Sequence, residues 1–361
     1  MMDQHAIQSV RYFKRELQFK TPAKTSRDTL VSKPSWYVCL TDNHGHSGWG
    51  ECSLILGLSP DNPQAVEAYF DGLVESPHRA SEPVPAGLPA VRFAMEMAWN
   101  GLVNGHPLRF FPGSFESCEQ AIPINGLIWM AEPEALLEQA RSLLGRGFTT
   151  LKMKVGSMPF DAELDWLKAL RKEAGPEVVL RTDANGAFSK PEKGWTPMRK
   201  LEALAELGFH SIEQPLAPTE QEALSDLCER SPLPIALDES LIGVGSATEK
   251  EALLNAIGPQ YLVLKPSLLG GFRSSQEWID AAEARGIGWW ATSALESNLG
   301  LYAIAQWVQD GVRTAHPLML QGLGTGGLFT NNIPGTMEVA SGYLHNRPER
   351  QWSEFHEIMG S

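Results

Sequence analysis

The chain has 361 residues, 43% of them hydrophobic and 20% charged, with a formal net charge of −13 spread along its length. That balance suits a globular protein of one large or two moderate domains, and the lack of a basic stripe or of interleaved basic and aromatic residues argues against a nucleic-acid partner. No apolar run approaches the roughly 18 residues of a membrane span. The opening MMDQHAIQSVRYFKREL has no apolar core of the signal-peptide kind. The four cysteines, Cys39, Cys52, Cys118 and Cys228, show neither CxxC spacing nor the density of a disulfide framework. A reducing cytoplasm is the expected compartment, with no membrane contact, and the sequence carries no signature of an oligomeric state.

Residues 1–115 read as a small α+β domain, strands first and helices after. Val10–Phe19 and Ser35–Thr41 alternate as strands, joined by a polar loop, Thr21–Thr29, expected to be mobile. Asp42–Gly45 is a turn, followed by Gly48-Trp49-Gly50-Glu51 and a second loop, Cys52–Pro60. Both loops are expected to close over a site as a lid. Asn62–Leu73 and Leu88–Val103 follow as helices. His44-Gly45-His46 has metal-ligand chemistry, but with no third ligand in sight it reads as a turn that happens to carry histidines.

From Ile122 the rhythm changes to short apolar strands alternating with helices. The strands are Ile122–Leu127, Thr150–Val155, Val178–Asp183, Ser211–Glu213, Ile235–Asp238, Tyr261–Lys265, Gly288–Thr292 and a last one near Pro317–Gly322. Helical patterns fall between them, from Glu132–Leu144 to Gly300–Val308. Repeated βα units of this number argue for a parallel barrel of TIM type over residues 116–330. The tail, residues 331–361, is expected to be loop-like and to return to the first domain.

The strand ends carry the chemistry. Leu180–Phe188, LRTDANGAF, brings Asp183 to the end of an apolar strand, where Asn185-Gly186 supplies a turn. Lys154, Asp183, Glu213, Asp238 and Lys265 follow one another at 29, 30, 25 and 27 residues, each about one βα unit. Successive strand tips in a barrel stand side by side around one mouth. Three carboxylates therefore converge with a lysine on each side, and such a trio repels unless a cation joins it. Oxygen-only ligation suits a hard divalent ion, Mg²⁺ or Mn²⁺. Lys152 and Arg181 lie two residues before Lys154 and Asp183 and so share their strand faces. A cationic neighbour and desolvation lower a lysine's pKa, which casts Lys154 as a base. Gly322–Gly327 lacks the P-loop Lys-Ser/Thr and reads as a loop lining the site. Ser293, Glu296 and Ser297 end the seventh strand, either to cap the next helix or to meet substrate.

Lys152-Met153-Lys154, Asp183-Ala184-Asn185, Glu213-Gln214-Pro215, Asp238-Glu239 and Lys265-Pro266 resemble the motifs of the enolase superfamily, in its muconate-lactonizing subgroup. Gly48-Trp49-Gly50-Glu51 resembles the signature of that family's capping domain. Leu262–Gly271 (LVLKPSLLGG), Thr292–Leu301 (TSALESNLGL) and Gly322–Phe329 (GLGTGGLF) carry a narrower likeness to its o-succinylbenzoate synthases. The resemblance implies an α/β fold, a modified (β/α)7β TIM barrel with an N-terminal α+β capping domain completed by the C-terminal tail. It implies Mg²⁺ held by Asp183, Glu213 and Asp238, with Lys154 and Lys265 as catalytic residues. Lys152, Arg181, Asn185, Glu239 and Ser293 are then candidates for binding substrate or supporting the site. The family removes a proton α to a carboxylate through an enediolate, so a small-molecule carboxylate is the expected substrate. In the synthases a hydroxyl then leaves from the same face. No Asp-x-Asp of the dipeptide-epimerase kind follows the seventh strand, and no histidine base of the mandelate-racemase kind follows the sixth.

Three readings compete. A dehydrating lyase leads. A racemase, epimerase or cycloisomerase on the same core is the runner-up. A non-catalytic barrel used as a binding module is disfavoured by the intact lysines and carboxylates, and activity with and without added Mg²⁺ separates it from the others.

Overall fold

The computed structural model describes residues 5–24 and 29–347. Its N-terminal sheet is antiparallel, with strands β1 (Ile7–Lys24), β2 (Thr29–Asp42) and β3 (Ser47–Ser53) in that order. The strands are longer than the alternation predicts. Thr21–Lys24 belongs to β1, while residues 25–28 of the expected mobile loop lie outside the described residues. Trp36, Val38 and Leu40 of β2 pack with helices α1 (Pro63–Glu75) and α2 (Pro89–Val103). Tyr37 and Cys39, on the alternate positions, join the core shared with the barrel. The sheet is thus covered on both faces. Gly48 and Gly50 lie against α2 so closely that a Cβ would stand 1.8 Å from Ala98 O and 1.9 Å from Ala94 O. This close approach is the physical content of the Gly-Trp-Gly-Glu stretch.

The turn after β2 is tied by Asp42, whose Oδ1 accepts from the backbone N of His44 (2.9 Å) and His46 (2.8 Å). The sequence shows no third group beside His44 and His46. The fold instead gathers His46 with Asp42 and His5, without His44, since Asp42 Oδ2 lies 2.6 Å from His5 Nδ1 and 3.2 Å from His46 Nδ1.

Asp61 caps α2, its carboxylate accepting from Ala90 N at 3.0 Å and Val91 N at 3.2 Å. Burial pushes its pKa up to about 6 despite these bonds. An unfolded aspartate titrates near pH 3.9. Above that pH the unfolded state releases a proton that the folded state keeps, so stability falls as pH rises to about 6 and is flat beyond. Asp61→Asn retains an acceptor for the helix and removes the charge. Thermal midpoints measured from pH 4 to 7 should lack this fall in the variant, a difference of at most about 3 kcal/mol.

The second sheet is parallel and curled, with strands β5 (Gly126–Ile128), β6 (Thr150–Lys154), β7 (Val179–Asp183), β8 (Ser211–Glu213), β9 (Ile235–Leu237), β10 (Tyr261–Leu264) and β11 (Gly288–Ala291) in chain order. Helices α3 (Pro133–Gly145), α4 (Phe160–Ala174), α5 (Pro197–Glu206), α6 (Gln221–Arg230), α7 (Ala247–Ile257), α8 (Pro266–Leu269), α9 (Gly271–Glu283) and α10 (Asn298–Gln306) connect or follow the strands. The expected last strand near Pro317–Gly322 shrinks to two bridging residues. Gln321 pairs with Ile124 and Gly322 with Thr292, so the pair closes the gap between the first and last strands. The buried Gln321 side chain supplements this short ladder, its Oε1 accepting from Ala291 N at 2.7 Å.

The tail is not the loop expected of it. Strands β12 (Met337–Ala340) and β13 (Tyr343–Asn346) form a hairpin that pairs with β4 (Ile122–Pro123) beside the barrel. Contact with the first domain comes just before it, where Asn331 Oδ1 accepts from Gln18 N at 2.8 Å and Thr330 N donates to Gln18 O at 2.9 Å. Residues 348–361 lie outside the described residues.

Candidate active site

Strand register brings the predicted residues together. Lys154, Asp183 and Glu213 end β6, β7 and β8 and stand opposite one another, Lys154 beside Asp183 and Asp183 beside Glu213. Asp238 and Lys265 follow the last residues of β9 and β10. Asp183, Glu213 and Asp238 are buried, and one oxygen from each lies within 4.8 Å of the others. Burial and the two neighbouring carboxylates push the Glu213 pKa up to about 7, with Lys152 opposing. Asp183 goes the other way. Burial raises its pKa, but Lys152, Lys154 and Lys265 outweigh this and hold it well below the usual carboxylate range. Glu213 Oε1 is buried with no hydrogen-bond partner among the described residues. An acceptor left open beside two more carboxylates is what a hard cation satisfies, so the three side chains fit a divalent ion.

The lysines are engaged with these acids. Lys152 Nζ lies 2.5 Å from Glu213 Oε2 and 3.1 Å from Asp183 Oδ2. Burial lowers its pKa, but Asp183, Glu213 and Asp238 overcome this and keep it charged. Lys154 Nζ donates to Asn185 Oδ1 and lies 3.8 Å from Asp183 Oδ2. The Lys152 charge faces two carboxylates of its own, Asp183 and Glu213. Lys265 Nζ pairs with Asp238 Oδ2. Burial works against its charge, and Asp238 and Glu239 outweigh that and raise its pKa.

Asn185 sits in the left-handed region, φ 44°, at the turn the sequence predicts. Its Nδ2 donates to Glu239 Oε1 at 2.8 Å, so it links Lys154 to Glu239 across the mouth. Glu239 lines the pocket, and burial beside Asp238 pushes its pKa up to about 7. Arg181 faces the barrel interior as its spacing predicts, but lies beneath the pocket. Its guanidinium stacks 4.2 Å from the Trp290 ring centre and donates to Leu320 O at 3.0 Å. Ser293 lines the pocket and donates to Glu296 Oε2 at 2.7 Å, while Ser297 caps α10. Gly322, Gly324 and Thr325 also line it, as expected of the glycine-rich loop.

Sequence reasoning missed two sets of residues. Gln214 passed as part of a motif, yet its Oε1 accepts from Asp238 N and Ser240 N, each at 3.1 Å, and so fixes one ligand strand against the next. The apolar walls were missed as well. The cap contributes Leu30, Ile55, Leu56 and Leu58, and the barrel adds Trp129 and Trp290. The cap residues lie on or next to the two loops expected to cover the site. Apolar and charged residues lining one pocket suit a small ligand with an apolar body and a charged group.

Residues 135–347 match the family model for the enolase C-terminal domain-like fold. An o-succinylbenzoate synthase of Desulfotalea psychrophila is 44% identical, the match covering 92% of this chain and 97% of the relative. The crystal structure of MenC from the same organism superposes with a TM-score of 0.80 at 39% identity, over 93% of this chain and 99% of that one. An L-Ala-D/L-Glu epimerase of Bacillus subtilis is 27% identical over 79% of this chain and 80% of its own. The chain belongs to the enolase superfamily, in its family of o-succinylbenzoate synthases.

Proposed function

We propose that the protein is a Mg²⁺-dependent lyase that dehydrates 2-succinyl-6-hydroxy-2,4-cyclohexadiene-1-carboxylate to 2-succinylbenzoate, a cytoplasmic step of menaquinone biosynthesis. The observation that carries this reading is one pocket lined by Lys154, Lys265 and Asp183 below and by Leu56, Trp129 and Trp290 around. Asp183, Glu213 and Asp238 would hold the ion, with Mn²⁺ as a working substitute. A divalent ion held there would supply Lewis-acid stabilisation of the charge that builds on the substrate carboxylate as the α-proton leaves.

Lys154, as the free amine, takes that proton at Nζ, and the C–H electron pair moves into the carboxylate to give an enediolate. Lys265 remains an ammonium on the other flank of the acids, where its charge opposes the new negative charge. The electrons then return to the ring, the C–O bond breaks, and Lys154 gives its proton to the departing hydroxyl. Water leaves and the ring becomes aromatic. Asn185 holds Lys154 toward the mouth. In this reading residues 1–115 with 331–361 form the cap and 116–330 the catalytic barrel.

The test is spectrophotometric. Purified protein with Mg²⁺ should convert the cyclohexadiene to 2-succinylbenzoate, and inert protein would end the reading. A second reading, a racemase or epimerase of N-acylamino acids or dipeptides, or a cycloisomerase, is favoured by the two lysines flanking one set of acids. Solvent deuterium entering the α-position of such a substrate would support it.

The cap loop makes a separate prediction. Cys52–Pro60 carries three of the apolar residues over the pocket, one of them, Leu56, 58% exposed. Adding Mg²⁺ and product should slow proteolysis of this loop at least about threefold as it closes, measured by peptide mapping. Unchanged cleavage with binding confirmed would rule out a lid.

A further inference from the structure

The barrel-facing side of the cap sheet carries a polar cluster that proton abstraction does not use. Lys33 and Ser35 of β2 and Glu51 and Ser53 of β3 share the alternate positions that face the barrel, and all four are buried. Lys33, 1% exposed, donates from Nζ to Ser53 Oγ at 2.7 Å, to Leu295 O at 2.8 Å and to Ala294 O at 3.1 Å. These three neutral oxygens use all the donors an ammonium has. Burial lowers its pKa to about 8, with Glu296 and Glu51 opposing, so it remains largely charged at neutral pH.

The two carboxylates tie the same region down. Glu51 accepts from Ser297 N at 2.8 Å, Ser297 Oγ at 2.6 Å and Gly300 N at 2.8 Å, so a residue of the cap fills the start of α10. Glu296 accepts from Ser293 Oγ at 2.7 Å and from Ser267 Oγ at 2.5 Å, two residues after Lys265.

The segment so gripped is a wall of the pocket, since Ser293, Ala294 and Leu295 all line it. Leu295 has φ 63°, a conformation that costs a side-chain-bearing residue roughly 1–2 kcal/mol. It persists only where its surroundings impose it. Its N donates to Ser293 Oγ at 2.8 Å, and its carbonyl is one of the two that Lys33 binds. Its side chain packs against the cluster of Leu17, Phe19 and Phe329, as do Leu30 and Trp129, which also line the pocket.

We propose that Lys33 is a positioning residue, supplied by the cap, that sets the shape of the substrate pocket. By binding the carbonyls of Ala294 and Leu295 it keeps the turn left-handed and fixes where Leu295 meets the part of the substrate remote from the reacting carbon. The proposal rests on the dehydration reading for the identity of the substrate, and on the hydrogen bonds alone for the clamp. Lys33→Met keeps the bulk and leaves both buried carbonyls without that donor, so the turn relaxes.

Two readouts test it in the Mg²⁺-loaded enzyme. In Lys33→Met, KM for the cyclohexadiene should rise about tenfold while kcat changes less than about threefold, the pattern of lost binding rather than lost chemistry. Backbone hydrogen exchange across residues 293–297 should quicken, which needs no substrate. Leu295→Gly makes the left-handed turn free of strain, so in that background Lys33→Met should add little to KM. Should Lys33→Met fail to fold, Ser53→Ala removes only the hydroxyl that aims the ammonium and should raise KM about threefold with kcat unchanged. Unchanged KM and exchange, or KM effects that add fully in the double variant, would overturn the proposal. Faster exchange in a protein whose wild type dehydrates nothing would support the clamp and remove the reaction reading.

Discussion

Asp183→Asn should lower kcat for dehydration by at least about a thousandfold and weaken Mg²⁺ binding by about a hundredfold. Asp183 is the middle member of the site. It stands in register between Lys154 and Glu213, and its depressed pKa keeps it anionic at any working pH. Glu213, by contrast, is pushed up by burial and by its acidic neighbours, so without a cation it is only partly ionised near neutrality. The substitution would therefore remove a carboxylate that Lys152, Lys154 and Lys265 hold in its charged form. It would also leave Lys152, now paired through one carboxylate at 2.5 Å, free to compete for Glu213. Titration calorimetry reads the affinity and steady-state kinetics the rate. EDTA-stripped wild type should be equally inert and should recover with Mg²⁺ or Mn²⁺. Full activity after stripping would remove the ion from the mechanism.

The site was legible in the sequence because it depends on strand ends. Period-two alternation fixes which side chains share a face, and βα spacing fixes which tips adjoin. Lys154, Asp183, Glu213, Asp238 and Lys265 needed nothing else. Lys33 was not legible, since the alternation starts the strand only at Ser35 and the turn that Lys33 binds lies 261 residues later. The last barrel strand was overread because two residues and a glutamine side chain do the work of a strand. The tail hairpin did leave a signal. Ala340 pairs with Tyr343 across Ser341-Gly342, both at positive φ, the geometry of a two-residue hairpin turn. Alternation around it, in Met337–Asn346, was short enough to pass for loop.

The two lysines should separate by charge. Lys154 has an amide oxygen as its hydrogen-bond partner, and its nearest carboxylate is 3.8 Å away. Lys265 is paired directly with Asp238, and Asp238 and Glu239 raise its pKa against the pull of burial. The lysine paired directly with a carboxylate suits a fixed cation, and the one whose hydrogen-bond partner is a neutral amide oxygen is left to move the proton. Dehydration from a single face needs only one of them to move protons. Lys154→Ala should therefore abolish it, by about 10⁴-fold or more. Lys265→Ala should cost roughly 10²–10³-fold, the scale of losing one group that offsets transition-state charge. Lys265→Arg keeps the charge and should cost less, though the planar fork will not reproduce the ammonium's position beside Asp238. The comparison is one of order, read as kcat for the three variants under saturating Mg²⁺. With a racemisable substrate the order should vanish, because each face then exchanges a proton and either lysine is indispensable. Equal and complete loss of dehydration in Lys265→Arg and Lys265→Ala would make Lys265 a proton carrier, and an unimpaired Lys154→Ala would move the base elsewhere.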